Sequence, residues 1–165
     1  KQENAKQMTQ RIVESPCEDT RLDKCTKALI AVAFESITTK GEFKLALSEA
    51  DELDTFYTYL MCDPNMRAMP WAKMKVWFFG DVPGDISAQI AIATHSGIDA
   101  EHVFRLDETT VEDVDCCVCT GDASELPSEL FDRCTTWLVV DGGQDKQELD
   151  SSMLGGVVHR YVCGT

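Results

Sequence analysis

Apolar residues fall along this chain in two alternating rhythms: short unbroken runs, and stripes in which every third or fourth position is apolar. The first stripe, Leu22, Cys25, Leu29, Ala33 and Ile37, has the period of a helix that buries one face, and Gly41 is placed to stop it. Ser15-Pro16-Cys17-Glu18 just before it has the form of a helix start, with Ser15 as N-cap, proline in the first turn and Glu18 closing a capping box. Phe43 to Ser48 is a short apolar run and predicts a strand; Leu53, Phe56, Tyr57, Leu60 and Met61 then return to helical spacing. The alternation continues with strands over Lys75 to Phe79, His102 to Leu106, Asp115 to Cys119, Thr136 to Val140 and His159 to Cys163. Helices are expected over about Ile86 to Thr94 and Gln144 to Leu154, with a short one ending at Phe131.

Strands that alternate with helices and are apolar throughout belong in a parallel sheet buried on both faces. The expected class is therefore a three-layer, Rossmann-like α/β domain with a mainly parallel sheet covered by helices on both faces. Residues 15 to 165 are read as one such domain. Residues 1 to 14, polar apart from Ala5, Met8, Ile12 and Val13, are read as a helical arm that packs on a neighbour or on the domain itself.

Composition narrows the possible partners. The 165 residues carry 15 basic and 29 acidic side chains, a formal charge of -14, which is the wrong sign for nucleic-acid phosphates or an anionic bilayer. Direct contact with nucleic acid and membrane insertion are not expected, since the longest apolar runs fall far short of the roughly 20 residues that span a bilayer. Eight cysteines in a chain of this length read as buried thiols in a reducing compartment, cytoplasm or organelle matrix, and not as a disulfide framework. Cys116, Cys117 and Cys119 do not read as a metal site, because strand alternation sends Cys116 to one face and the other two to the opposite one. No secretory leader is evident, and no cofactor is implied.

Ligands of open α/β sheets bind beyond the carboxyl ends of the strands. The turns expected there are Ser48-Glu49-Ala50-Asp51-Glu52, Gly80-Asp81-Val82-Pro83-Gly84-Asp85, Thr120-Gly121-Asp122-Ala123-Ser124-Glu125 and Asp141-Gly142-Gly143-Gln144-Asp145, and every one carries carboxylates. A phosphate needs bare backbone N–H groups and a free positive helix end. Asp51 is placed to cap its own helix and fill that end.

Several segments, taken in order, carry a resemblance: Phe43-Lys44-Leu45-Ala46-Leu47-Ser48, Phe56 to Leu60, Pro70 to Phe79, Ile98 to Leu106, Val114 to Cys119 and Trp137 to Lys146. Together they resemble the 6-phosphogluconolactonase family, which shares its fold with glucosamine-6-phosphate isomerases, over roughly residues 20 to 160. The resemblance implies a phosphate loop of the form Leu-Ser-Gly-Gly-Ser where this chain has Leu47-Ser48-Glu49-Ala50-Asp51, so both glycines are replaced. It implies an arginine within an Asp-Glu-Arg and Val-Pro motif, where Phe79-Gly80-Asp81-Val82-Pro83 has none. It also aligns the catalytic motif on Thr120 to Phe131, which puts Ser124 at the aspartate position and Leu126 at the position of the histidine base. Leucine cannot accept a proton, and a lactonase needs a base to activate water. Phe131 reaches Trp137 in six residues, where the family inserts a further strand and helix.

The leading expectation is thus a non-catalytic relative of that family that binds other protein subunits of a larger assembly. Arg67, Met69 and Trp71, in a proline-flanked loop that also holds Met66, and Met8 and Ile12 in the arm are the residues expected at such an interface. A second reading keeps a sugar-phosphate hydrolase with a displaced site, its base drawn from His95, His102 or His159. A third is a divalent-cation domain in which Asp81, Asp122 and Asp141, with Glu49 and Asp51, supply oxygen ligands.

Overall fold

A computed structural model of the chain describes residues 9–80, 87–106, 112–141 and 148–163. Each expected apolar run is a strand: β2 (Phe43–Ser48), β3 (Met74–Phe79), β4 (Val103–Arg105), β5 (Val114–Thr120), β6 (Cys134–Val140) and β7 (Val157–Cys163). With β1 (Thr9–Ser15) they form a seven-stranded sheet in the order β1-β7-β6-β5-β2-β3-β4, parallel at every pairing. Neighbouring side chains separate into two buried clusters, Leu45, Leu47, Cys116, Val118, Leu138 and Val140 in one, and Ala46, Cys117, Cys119, Trp137 and Val139 in the other. That is the period-2 alternation of a sheet with no wet face, and it divides the cysteine triplet as expected.

The first cluster is roofed by α1 (Glu18–Lys40), α2 (Asp54–Leu60), α3 (Asn65–Ala68) and α4 (Ser87–His95). Helix α1 lies across β1, β2, β5, β6 and β7 and buries Leu22, Cys25, Leu29 and Ala33. It ends where the Gly41 N–H donates to the Ile37 carbonyl at 2.9 Å. Just before that stop, the Ser36 hydroxyl donates to the Glu42 carbonyl at 2.6 Å and to Asp115 Oδ2 at 3.1 Å, which ties the helix end to the start of β5. Asp115 Oδ2 also accepts from the Lys44 N–H at 2.9 Å.

Over the second cluster the described cover is made of short 3₁₀ helices, Ala123–Glu125, Ser128–Leu130 and Ser151–Met153, in a layer that brings in Leu126, Leu130 and Leu154. Trp137 fills the space beneath and donates from Nε1 to the Gly155 carbonyl at 2.8 Å. Gly156, at φ +84°, passes so close to β6 that a Cβ would lie 2.3 Å from the Thr135 carbonyl oxygen; no side chain fits there.

Four local expectations are corrected. The helix expected in the arm over residues 1 to 14 is, from Thr9 onward, strand β1, paired in parallel with Val157–Cys163. The open edge of β7 offers backbone hydrogen bonds that outweigh a weak helical pattern. Ser15 is consequently the buried last residue of that strand and makes no capping box; the N-cap of α1 is Cys17. The short helix ending at Phe131 is two 3₁₀ turns, since Pro127 cannot donate within a longer helix. Of the helix expected over Gln144 to Leu154, residues 144–147 lie outside the described residues, and the rest contains only the turn Ser151–Met153.

All eight cysteines are free thiols, Cys17, Cys62 and Cys163 exposed and Cys25, Cys116, Cys117, Cys119 and Cys134 buried. Burial raises the thiol pKa of Cys25, Cys116, Cys117 and Cys134. Iodoacetamide at mildly alkaline pH is expected to label the three exposed thiols of the native protein and all eight after denaturation, read by mass spectrometry, with strong reductant leaving Tm unchanged. A large fall in Tm on reduction would expose a bridge.

Candidate functional site

The chain order reverses between β2 and β5, which are neighbours in the sheet although β3 and β4 intervene in sequence. Such a switch point opens a crevice at the carboxyl ends of the two strands. Here those ends lead into Glu49 and into Gly121-Asp122.

The Glu49 side chain is 3% exposed, and its Oε1 pairs with Arg105 Nη1 at 2.6 Å. Arg105, the last residue of β4, also donates to Gln89 Oε1 on α4 at 2.9 Å and to the Gly80 carbonyl at 3.3 Å. The Glu49 backbone is held in turn, its N–H donating to the Phe79 carbonyl at 2.8 Å. Gly80, at φ +124°, lets the chain leave β3 close to Glu49, since a Cβ there would lie 3.3 Å from the Glu49 nitrogen. Glu49 Oε2 is buried without a hydrogen-bond partner. The side chain drawn into the crevice is therefore Glu49. Asp51, expected to cap a helix, is exposed at the first position of the 3₁₀ turn Asp51–Leu53 and makes no capping bond, while Ala50 is the N-cap. Ser48 turns inward, accepting from the Ala50 N–H at 3.2 Å through its hydroxyl and from the Tyr57 hydroxyl through its carbonyl.

Across the switch point, buried Asp122 accepts from the Ser124 N–H at 3.0 Å and the Ser124 hydroxyl at 2.7 Å. Ser124 is thus half of a turn-forming contact. Leu126, two residues on, is 8% exposed and packs in the second core cluster. Asp141, after β6, is clamped by Arg160, with Nε to Oδ2 at 2.9 Å and Nη2 to Oδ1 at 2.6 Å, and its carbonyl accepts from Arg21. Asp122 and Asp141 therefore turn to separate local partners, and Asp81 lies outside the described residues. Among the described residues no group of three or more His, Cys, Asp or Glu side chains could hold a metal ion.

The three histidines sit away from this crevice. His95 ends α4, and His102 immediately precedes β4, so both lie at the amino ends of the strands. His159 is the third residue of β7; partial burial, with the charge of Arg11 beside it, lowers its pKa.

The residues expected at an interface divide. Met69 and Trp71 are buried, Trp71 donating from Nε1 to the Met66 carbonyl at 2.7 Å, so both support their own loop. Arg67 is exposed and bonds Asp63 through two nitrogens at 3.1 and 3.0 Å. Ile12 is exposed on the edge strand β1, and Met8 lies outside the described residues. Sequence reasoning missed Arg105 and Arg160, which pair with Glu49 and Asp141 at the carboxyl edge; each lies in an apolar strand with no motif around it. Among the described residues no helix is long and apolar enough to cross a membrane.

No protein-family model matches the sequence, and no curated protein matches it. Solved structures do match the fold. A 6-phosphogluconolactonase from Thermotoga maritima superposes with a TM-score of 0.69 at 11% identity, covering 93% of this chain and 100% of the other. A devB protein gives 0.66 at 10% identity over 94% and 96%. A 6-phosphogluconolactonase from Shewanella baltica OS155 gives 0.61 at 9% identity over 95% and 98%. The fold is 6-phosphogluconolactonase-like.

The buried pair makes a stability prediction. Arg105→Met leaves Glu49 buried without its cation, a change that typically costs about 3–5 kcal/mol, whereas Glu49→Met with Arg105→Met removes both charges and should recover most of that loss. Urea unfolding of the three proteins tests it. A loss below about 1 kcal/mol in the single variant would mean that solvent screens the pair.

Proposed function

We propose that this chain is a non-catalytic protein of 6-phosphogluconolactonase-like fold that serves as a protein-binding accessory or structural subunit of a larger assembly, in a reducing compartment such as the cytoplasm or an organelle matrix. The observation that carries the reading is the Glu49–Arg105 pair at the end of β2. A sugar phosphate there would meet a buried carboxylate where it needs bare N–H groups, and the nearest guanidinium is already engaged by Glu49, Gln89 and Gly80. Supporting it, Leu126 is packed in apolar core at the position the resemblance gives to the base. No histidine stands at the crevice to replace that base. With chemistry unsupported and a net charge of -14 disfavouring nucleic acid and anionic lipid, protein contact is the remaining role for a stable acidic domain.

The purified protein is expected to hydrolyse 6-phosphogluconolactone no faster than background, and 6-phosphogluconate should not raise its Tm, since a ligand that does not bind cannot stabilise by mass action. Leu126→His should stay inactive, because Glu49 still opposes the phosphate, and should lose about 2–5 kcal/mol of stability as a buried leucine is removed. Turnover by the unaltered protein, abolished by changing one of the three histidines, would instead establish a hydrolase with a displaced site.

A further inference from the structure

Two of the three exposed thiols, Cys17 and Cys163, come from opposite ends of the chain to one corner of the fold. In the parallel β1–β7 pair Ser15 stands opposite Cys163, and neighbouring strands lie about 4.8 Å apart. Val13 and Tyr161 pack in the cluster roofed by α1, so strand alternation turns Ser15 and Cys163 to that same face. Pro16 and Cys17 then carry the chain from β1 into α1, whose first residue is Glu18. The Cys163 thiol donates to Glu18 Oε1 at 3.7 Å and so reaches the residue next to Cys17. Cys17, the N-cap of α1, has its own sulfur 3.4 Å from the Thr20 hydroxyl. That hydroxyl is the largest of the causes that bring the Cys17 thiol pKa below the ordinary cysteine value. Neither thiol fills the core, as the five buried ones do, and exposed thiols are the ones that react. The third exposed thiol, Cys62, lies elsewhere, after the end of α2.

We propose that Cys17 and Cys163 are a peroxide-sensitive pair that closes into an intramolecular disulfide, Cys17 attacking the peroxide and Cys163 resolving the product. The inference goes beyond the protein-binding reading and does not rest on it. In the first step the Cys17 sulfur attacks one oxygen of hydrogen peroxide: an S–O bond forms, the O–O bond breaks, and the thiol proton leaves with the departing hydroxide as water. Sulfur is oxidised to a sulfenic acid and the peroxide is reduced. In the second step the Cys163 sulfur attacks the sulfenic sulfur: the S–S bond forms, the S–O bond breaks, and hydroxide leaves as water with the Cys163 proton. The Glu18 carboxylate already accepts that proton's hydrogen bond and can take it as the sulfur attacks. Two thiols and one hydrogen peroxide thus give one disulfide and two waters. A disulfide joins Cα atoms about 4.4–6.8 Å apart, the spacing of neighbours on adjacent strands, and Cys17 is one short turn beyond such a neighbour of Cys163. Closure exchanges the contacts to Thr20 and Glu18 for the bridge and fastens the junction of β1 and α1 to the end of β7. In a reducing compartment such a bridge is transient, which suits a sensor of oxidant.

The test treats the intact, fully reduced protein with a small molar excess of hydrogen peroxide, then quenches it in acid and digests it with pepsin, where thiol–disulfide exchange stops. Mass spectrometry should find a peptide linked through Cys17 and Cys163, lost on reduction, and the undigested protein should be lighter by two hydrogens. Cys163→Ser should abolish the linked peptide and leave Cys17 as a sulfenic acid that dimedone traps. Cys17→Ser should abolish it and leave Cys163 without a dimedone adduct. Cys62→Ser should give the linked peptide as the unaltered protein does. All three substitutions replace exposed groups, so each reduced variant should keep the Tm of the unaltered protein. Four results would overturn the proposal: thiols that all stay reduced, Cys17 carried on to sulfinic acid with no linked peptide, pairing of either cysteine with Cys62, or bridges formed between two copies of the chain in place of the internal one.

Discussion

A wholly parallel sheet has no face it can leave to water, and that constraint organises the rest of this molecule. The central strands must present apolar side chains in both directions, so β2, β3, β5 and β6 are nearly continuous in them and small thiols are as useful there as valine. The 23-residue helix α1 covers one face by crossing five of the seven strands, and its fit depends on Leu22, Cys25, Leu29 and Ala33 recurring without interruption. Among the described residues the opposite face receives much shorter pieces. There Trp137 fills the gap between sheet and cover, and Gly156 lets the chain pass within contact distance of Thr135.

The same economy of space governs charge. A carboxylate withdrawn from water is tolerated only with a partner close by, and two of those at the carboxyl edge have arginines: Glu49 has Arg105, and Asp141 has Arg160. Asp122 is satisfied by the backbone and hydroxyl of Ser124. Among the described residues Glu49, Asp122 and Asp141, which read as part of a row of acids, are thus each held by partners of their own. The unsatisfied Glu49 Oε2 is the residual cost of that arrangement.

What could be read from the chain is what depends on neighbours in sequence. The strands, the long helix and its stop at Gly41, and the division of Cys116 from Cys117 and Cys119 all follow from periodicity and backbone preference. So did the resemblance, because the order of strand and helix survives where motifs do not. Local pattern could not assign Thr9–Ser15, whose strand exists only because β7 offers an edge to pair with. Nor could it choose Glu49 over Asp51 as the enclosed acid: the two are alike in sequence, and only the arrival of Arg105 from β4, 56 residues away, makes burial of one of them tolerable. Strand order and ion-pair partners were decided by tertiary packing, since each joins groups that the chain alone places far apart.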